Sequence, residues 1–182
     1  MQERITIAGF GGQGVMLIGQ ILAYAGNEQK KNTLWYPSYG PETRGGTANC
    51  AVTISDSEIN SPVFAKANTV IAMNLPSLDK FSTKVLDDGN ILYNSSLIKE
   101  VDLKTNARVY KIPANDLAND LNNPKVANMV VLGSYLEITK LFDDEEIIKV
   151  LRELFGEEKE HLIDINKEAL LVGRKYILEN YN

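Results

Sequence analysis

An α/β fold is predicted for this chain, as a single three-layer α/β/α domain over residues 1–182. Three observations predict it. Short β-branched runs alternate with helical apolar patterns along the whole length. The first such run passes into a helix through a glycine cluster, Gly9-Phe10-Gly11-Gly12-Gln13-Gly14. The chain has 182 residues, 44% of them hydrophobic, which suits one domain with a sizeable core.

Residues 4–8 (Arg-Ile-Thr-Ile-Ala) have strand character, and residues 15–25 are apolar at helical spacing. Residues 48–54 read as a strand that carries Cys50. Residues 69–73 form a compact apolar strand, and Pro76 suits the first turn of the helix after it. Asp87-Asp88-Gly89-Asn90 reads as a turn into a strand at 91–93. Residues 108–112 alternate and stop at Pro113. A short amphipathic helix at 114–121 is closed by Asn122-Asn123-Pro124. Residues 126–141 are apolar on nearly all faces, which predicts a buried helix. The acidic run at 143–146 favours the N-terminus of a helix reaching Phe155, and Gly156 ends it. A last helix is predicted at 165–180. With a second strand that ends in the region 30–37, six candidate strands result, with no repeat and no second domain.

Gly9, Gly11 and Gly14 match the dinucleotide fingerprint, so the fold is expected to be Rossmann-like with a phosphate-accepting first turn. Glycine is wanted where the backbone needs positive φ, or where an anion must approach the N–H groups of a helix N-terminus. The acid that holds a ribose about 20 residues further on is missing. That region reads Lys30-Lys31-Asn32-Thr33-Leu34-Trp35-Tyr36-Pro37. Ordinary NAD binding is therefore disfavoured. Lys30 and Lys31 read either as partners of a 2′-phosphate or as a solvated helix end.

Residues 37–50 run Pro-Ser-Tyr-Gly-Pro-Glu-Thr-Arg-Gly-Gly-Thr-Ala-Asn-Cys. Three glycines and two prolines make a poor regular element, so most of this segment is expected to be a loop. Arg44 beside Gly45 and Gly46 suits capture of an anion by a guanidinium and exposed N–H groups. Alternatively Arg44 pairs with Glu42 or another acid. Trp35, Tyr36 and Tyr39 are either contact-surface aromatics or, for the first two, core residues. The loop is expected to reach the C-terminal edge of the sheet and bring both glycine clusters together.

With these two motifs the chain resembles the gamma subunits of the 2-oxoacid:ferredoxin oxidoreductases. Ile112-Pro113-Ala114, residues 128–133 (Asn-Met-Val-Val-Leu-Gly) and residues 164–173 look like later landmarks of that family. The Ser38-Tyr39-Gly40-Pro41-Glu42 form looks more like its 2-oxoglutarate and branched-chain members than its pyruvate members. The resemblance implies a subunit of an enzyme that decarboxylates a 2-oxoacid oxidatively to an acyl-CoA and reduces ferredoxin. It implies alpha and beta partners, and in some complexes delta. These hold the thiamine diphosphate, Mg and iron–sulfur clusters, which carry the chemistry. The gamma chain would help assembly and receive coenzyme A. The implied contact residues are Gly9, Gly11, Gly12, Gln13, Gly14, Ser38, Tyr39, Gly40, Glu42, Arg44, Gly45 and Gly46; none is catalytic. Isolated, the chain is expected to be inactive and able to pair as a homodimer.

Redox centres are not expected in this chain. Cys50 is its one cysteine and His161 its one histidine, whereas a cubane cluster takes four thiolates. A zinc site is disfavoured for the same reason. Cys50 is expected in the core and His161 at the surface. The net charge of −5 and the absence of basic runs argue against nucleic-acid binding. No signal pattern or membrane-length apolar run is evident, so a cytoplasmic location is expected. The rival readings are a stand-alone nucleotide-binding module and an NAD(P)-dependent oxidoreductase.

Overall fold

A computed structural model describes residues 1–41 and 46–181. Its centre is a six-stranded mixed sheet in the order β2-β3-β1-β4-β5-β6. The strands are β1 (Gln2–Phe10), β2 (Asn32–Tyr39), β3 (Thr47–Ser55), β4 (Ala67–Ala72), β5 (Val85–Asn94) and β6 (Arg108–Ile112). The helices are α1 (Val15–Glu28), α2 (Leu75–Phe81), α3 (Ala114–Asp120), α4 (Ala127–Thr139), α5 (Asp144–Phe155) and α6 (Ile163–Asn180). The α/β expectation holds, with one departure from a Rossmann sheet. β1, β4, β5 and β6 are parallel, but β3 lies antiparallel between β1 and β2. β2 and β3 form a hairpin, closed by Gly40 N–H donating to Thr47 O at 2.7 Å.

The layers are unequal. One face of the sheet carries Ile5, Ile7, Cys50, Val52, Ile71 and Leu92 under α1, α3, α4, α5 and α6. On the other face, Val70, Ala72, Ile91 and Tyr93 are covered by α2, by Phe64, and by residues between β5 and β6 such as Ile98. Strand alternation produces this division, because residues two apart share a face.

α4 is buried along residues 127–137, as its largely apolar sequence predicts. It crosses α6 in backbone contact. A Cβ on Gly133 would overlap the Leu170 backbone, and one on Gly173 would overlap Val130 O. Ser134 Oγ, fully buried, donates to Gly173 O at 3.2 Å across the crossing. Arg174 ties the same helices to α5, through Asp144 (2.6 Å), Glu137 (3.3 Å) and Phe142 O (3.0 Å). α5 begins with a full capping box between Asp143 and Glu146, and Gly156 ends it at φ 67°.

Two local expectations fail. Residues 87–90 are not a turn between elements. They bulge within β5, where Ala67 and Thr69 of β4 face Val85 and Asn90. Nor is 37–50 mostly loop. β2 continues through Pro37 to Tyr39 and β3 starts at Thr47, leaving residues 40–46 as the connection. β2 is an edge strand, the sheet position that tolerates proline. The opposite edge is covered differently. Tyr181 packs tilted against Tyr110, its hydroxyl accepting from Lys111 N–H at 2.8 Å and donating to Lys111 O at 3.3 Å.

Candidate functional site

The C-terminal ends of β1 and β4 lie side by side, and the chain leaves them in different directions. That edge is where open α/β sheets bind ligands. The first glycine segment sits there, between β1 and α1. Gly12 has φ 92° and Gly14 φ 75°, so left-handed backbone is required at these two positions. Gly9 and Gly11 do not adopt it. Gly9 is needed for space, since its Cβ would meet Gln13 Oε1 at 2.6 Å and Met73 Cβ at 3.0 Å. A Cβ on Gly14 would run into Asn128, whereas the space above Gly12 is open. Gly14 provides no side-chain cap, so the N-terminus of α1 keeps unsatisfied N–H groups at an exposed edge. Such an end attracts anions.

Gln13 faces inward rather than outward. Its Oε1 accepts from Phe10 N–H (2.6 Å) and Asn74 Nδ2 (3.2 Å), and its Nε2 donates to Met73 O (3.3 Å). It thus holds the turn against the end of β4. Asn74 in turn caps α2, accepting from Ser77 N–H at 2.9 Å. Asn128, at the start of α4, donates from Nδ2 to Gly14 O at 3.4 Å. Asn74 and Asn128 are positioning residues that sequence reasoning missed, although 128 begins one of the motifs singled out above. The available signal was polarity inside an apolar run.

The two glycine segments do meet. Gly11 N–H donates to Gly46 O at 3.1 Å. One consequence is that the Gly11 amide is already spent and is not free for a ligand. Of the second segment, Glu42, Thr43, Arg44 and Gly45 lie outside the described residues. Ser38 and Tyr39 separate, because alternation sends neighbours to opposite faces. Ser38 pairs with Asn49 and Ala8 on the face of α2, away from the turn. Tyr39 is 69% exposed. Gly40 is used in the hairpin closure.

The remaining candidates resolve simply. Lys31 pairs with Asp56 at 2.6 Å, beyond the far end of β2. Lys30 takes φ 58° just after α1. Cys50 is fully buried beneath Gly19, and burial pushes its thiol up to about 12, far from any thiolate role. Trp35 packs at the same place, half-buried, while Tyr36 is exposed. His161 is exposed.

Known proteins show the family of the chain. The model of the pyruvate ferredoxin/flavodoxin oxidoreductase family matches residues 4–176. The chain belongs to that family. It is 38% identical over 179 residues to ketoisovalerate oxidoreductase subunit VorA of Methanothermobacter thermautotrophicus, covering 98% of this chain but 37% of the relative. The chain therefore spans little more than a third of that protein. It is 31% identical over 172 residues to 2-oxoglutarate synthase subunit KorC of Methanocaldococcus jannaschii, covering 92% of each. Among solved structures, the gamma subunit of a keto/oxoacid ferredoxin oxidoreductase from Geobacter sulfurreducens superposes with a TM-score of 0.82 at 28% identity, over 97% of this chain and 99% of that one. The 2-oxoglutarate:ferredoxin oxidoreductase of Magnetococcus marinus, solved with 2-oxoglutarate, coenzyme A and succinyl-CoA bound, shares the fold at a TM-score of 0.89 and 22% identity. All of this chain and 32% of that one align. Among the described residues no helix is long and apolar enough to cross a membrane.

Proposed function

We propose that this oxidoreductase-family chain serves as the gamma component of a multisubunit 2-oxoacid:ferredoxin oxidoreductase, acting in the cytoplasm. Its partners are then the alpha and beta subunits, with delta where separate, and ferredoxin accepts the electrons. The bond from Gly11 N–H to Gly46 O supports this reading, because it joins the two glycine segments at the turn before α1. The chain's own residues do not suit an iron–sulfur cluster, since its one thiol is buried and its one imidazole lies apart at the surface. Thiamine diphosphate, Mg and the clusters are assigned to the partners.

Within that complex, the N–H groups of Gly12, Gly14 and the first turn of α1 receive a phosphate of coenzyme A, aided by the guanidinium of Arg44. Coenzyme A bound to the Magnetococcus enzyme supports this ligand class. The substrate reading is a branched-chain 2-oxoacid first and 2-oxoglutarate second, following the identities of 38% and 31% to the respective relatives. A pyruvate subunit relative matches at 30%, over 82% of the chain.

Reconstitution tests the proposal. The chain mixed with its alpha and beta partners should complete ferredoxin reduction that depends on coenzyme A and a 2-oxoacid. Turnover by the chain alone, or full activity of the partners without it, would overturn the reading. Arg44→Ala should raise the coenzyme A KM about ten- to a hundredfold in assembled enzyme, the weight of a charge-assisted bond of roughly 1.5–3 kcal/mol. An unchanged KM with normal assembly removes Arg44 from the site.

A further inference from the structure

The face of the sheet opposite α1 changes character across its width. Over β4 and β5 it is apolar and covered. Over β2, β3 and β1 the same face carries the rows Tyr36–Ala51–Thr6 and Ser38–Asn49–Ala8. There it opens into a cavity of about 230 Å³. Thr6, Tyr36, Ser38 and Asn49 line its floor, with Phe64, Phe81 and Lys84 among its walls.

The chemistry of this lining is selective. Thr6 is 7% exposed, and its hydroxyl has no hydrogen-bond partner among the described residues. That hydroxyl opens onto the cavity, where it is free to meet water or a polar ligand. Hydroxyls and a carboxamide surround a floor that contains no carboxylate. The cation of the lining is Lys84, whose Nζ lies 5.5 Å from the centroid of the Phe81 ring; Lys80 lies 5.2 Å from the same ring. Neither lysine forms an ion pair among the described residues. Positive charge without a counter-ion at the wall, donors on the floor and two phenyl rings beside them fit an anion with an apolar body. The volume equals seven or eight waters at roughly 30 Å³ each, well below what drug-sized ligands occupy.

We propose that this cavity on the open face of β1, β2 and β3 binds a small monocarboxylate with a compact branched or aromatic body. The carboxylate meets Lys84 and the Asn49 and Ser38 donors, and the body lies against Phe64 and Phe81. The site is separate from the glycine turn, since Ser38 and Asn49 point to the face opposite α1. It does not depend on the function proposed above.

Isobutyrate and benzoate are suitable probes, with isobutyramide as an uncharged isostere. Titration of the isotopically labelled full chain, followed by NMR, should give saturable shifts centred on Thr6, Ser38, Asn49 and Lys84. Isobutyramide should bind at least about tenfold more weakly, and Lys84→Ala should weaken the acids by a similar factor while the melting temperature holds. Lys84 is exposed, so this variant keeps the fold. Asn49→Leu should fill the floor and abolish the shifts; Ser38→Ala, with a smaller loss, serves if the leucine variant does not fold. Absence of saturable shifts with either acid, equal binding of isobutyramide, or shifts centred away from the cavity would overturn the assignment.

Discussion

The amide of Gly11 donates to the carbonyl of Gly46 across 3.1 Å, joining two segments 35 residues apart in sequence. That bond converts two separate glycine clusters into one edge. It also divides the glycines by task. Gly12 and Gly14 supply backbone geometry, Gly9 supplies space, and Gly11 supplies the tie.

Substitutions at the turn should therefore grade by position. Gly12→Ala meets open space but keeps φ 92°, so it should cost about 1–2 kcal/mol of stability. Gly14→Ala combines φ 75° with a collision against Asn128 and should cost clearly more. Gly14→Ala/Asn128→Ala should recover part of the loss. Urea unfolding of the three variants measures the order; equal costs for Gly12 and Gly14 would contradict the assigned contact.

Gln13 should behave as a structural clamp. Gln13→Ala removes acceptors from Phe10 N–H and Asn74 and a donor from Met73 O, at a cost of roughly 1–3 kcal/mol. Amide exchange should speed up at Phe10 and at the start of α2. Unaltered exchange at both places would show that the clamp is dispensable.

The crossing of α4 and α6 admits no side chain at its closest points. Gly133→Ala and Gly173→Ala each force two helix backbones apart, which should cost at least the upper part of the roughly 1–3 kcal/mol range for overpacking. Ser134→Ala should cost less, because it gives up one hydroxyl bond between the helices and leaves their spacing intact. Thermal melting orders the three.

Glu3 provides a pH test. Burial raises its carboxyl above the ordinary value, outweighing the hydrogen bonds it accepts from Thr69 (3.2 Å) and Tyr135 (3.3 Å). The folded chain then holds this proton more tightly than the unfolded chain does. Stability from this group is greatest below the unfolded value of about 4.5 and declines as pH rises through the higher folded value. Both bonds go to one oxygen, which glutamine retains. Glu3→Gln should raise the melting temperature at neutral pH, with the gain vanishing near pH 4. A gain independent of pH would refute the sign.

Most elements were legible because their patterns are local. The strand–glycine–helix start, the buried α4, Pro76 in the first turn of α2 and the acidic start of α5 all follow from spacing within a few residues. The unequal split of layers was less so, since it requires knowing that β3 turns back between β1 and β2. Pro37 and Ser38 concealed the end of β2, because edge-strand tolerance is a property of position in the sheet. The Asp87–Asn90 run looked like a turn because bulges use turn residues. In the site, the glycines announced themselves, but Gln13 reaches a carbonyl 60 residues away and Asn128 one 114 away. Neither pairing leaves a trace in local sequence.

Tyr181 has a consequence for how copies of this sheet can add to one another. By engaging both main-chain groups of Lys111, it caps β6 as a growth point, while β2 keeps a bare outer rim. Addition of a further strand is thereby hindered along β6 at Lys111 and left to the β2 side.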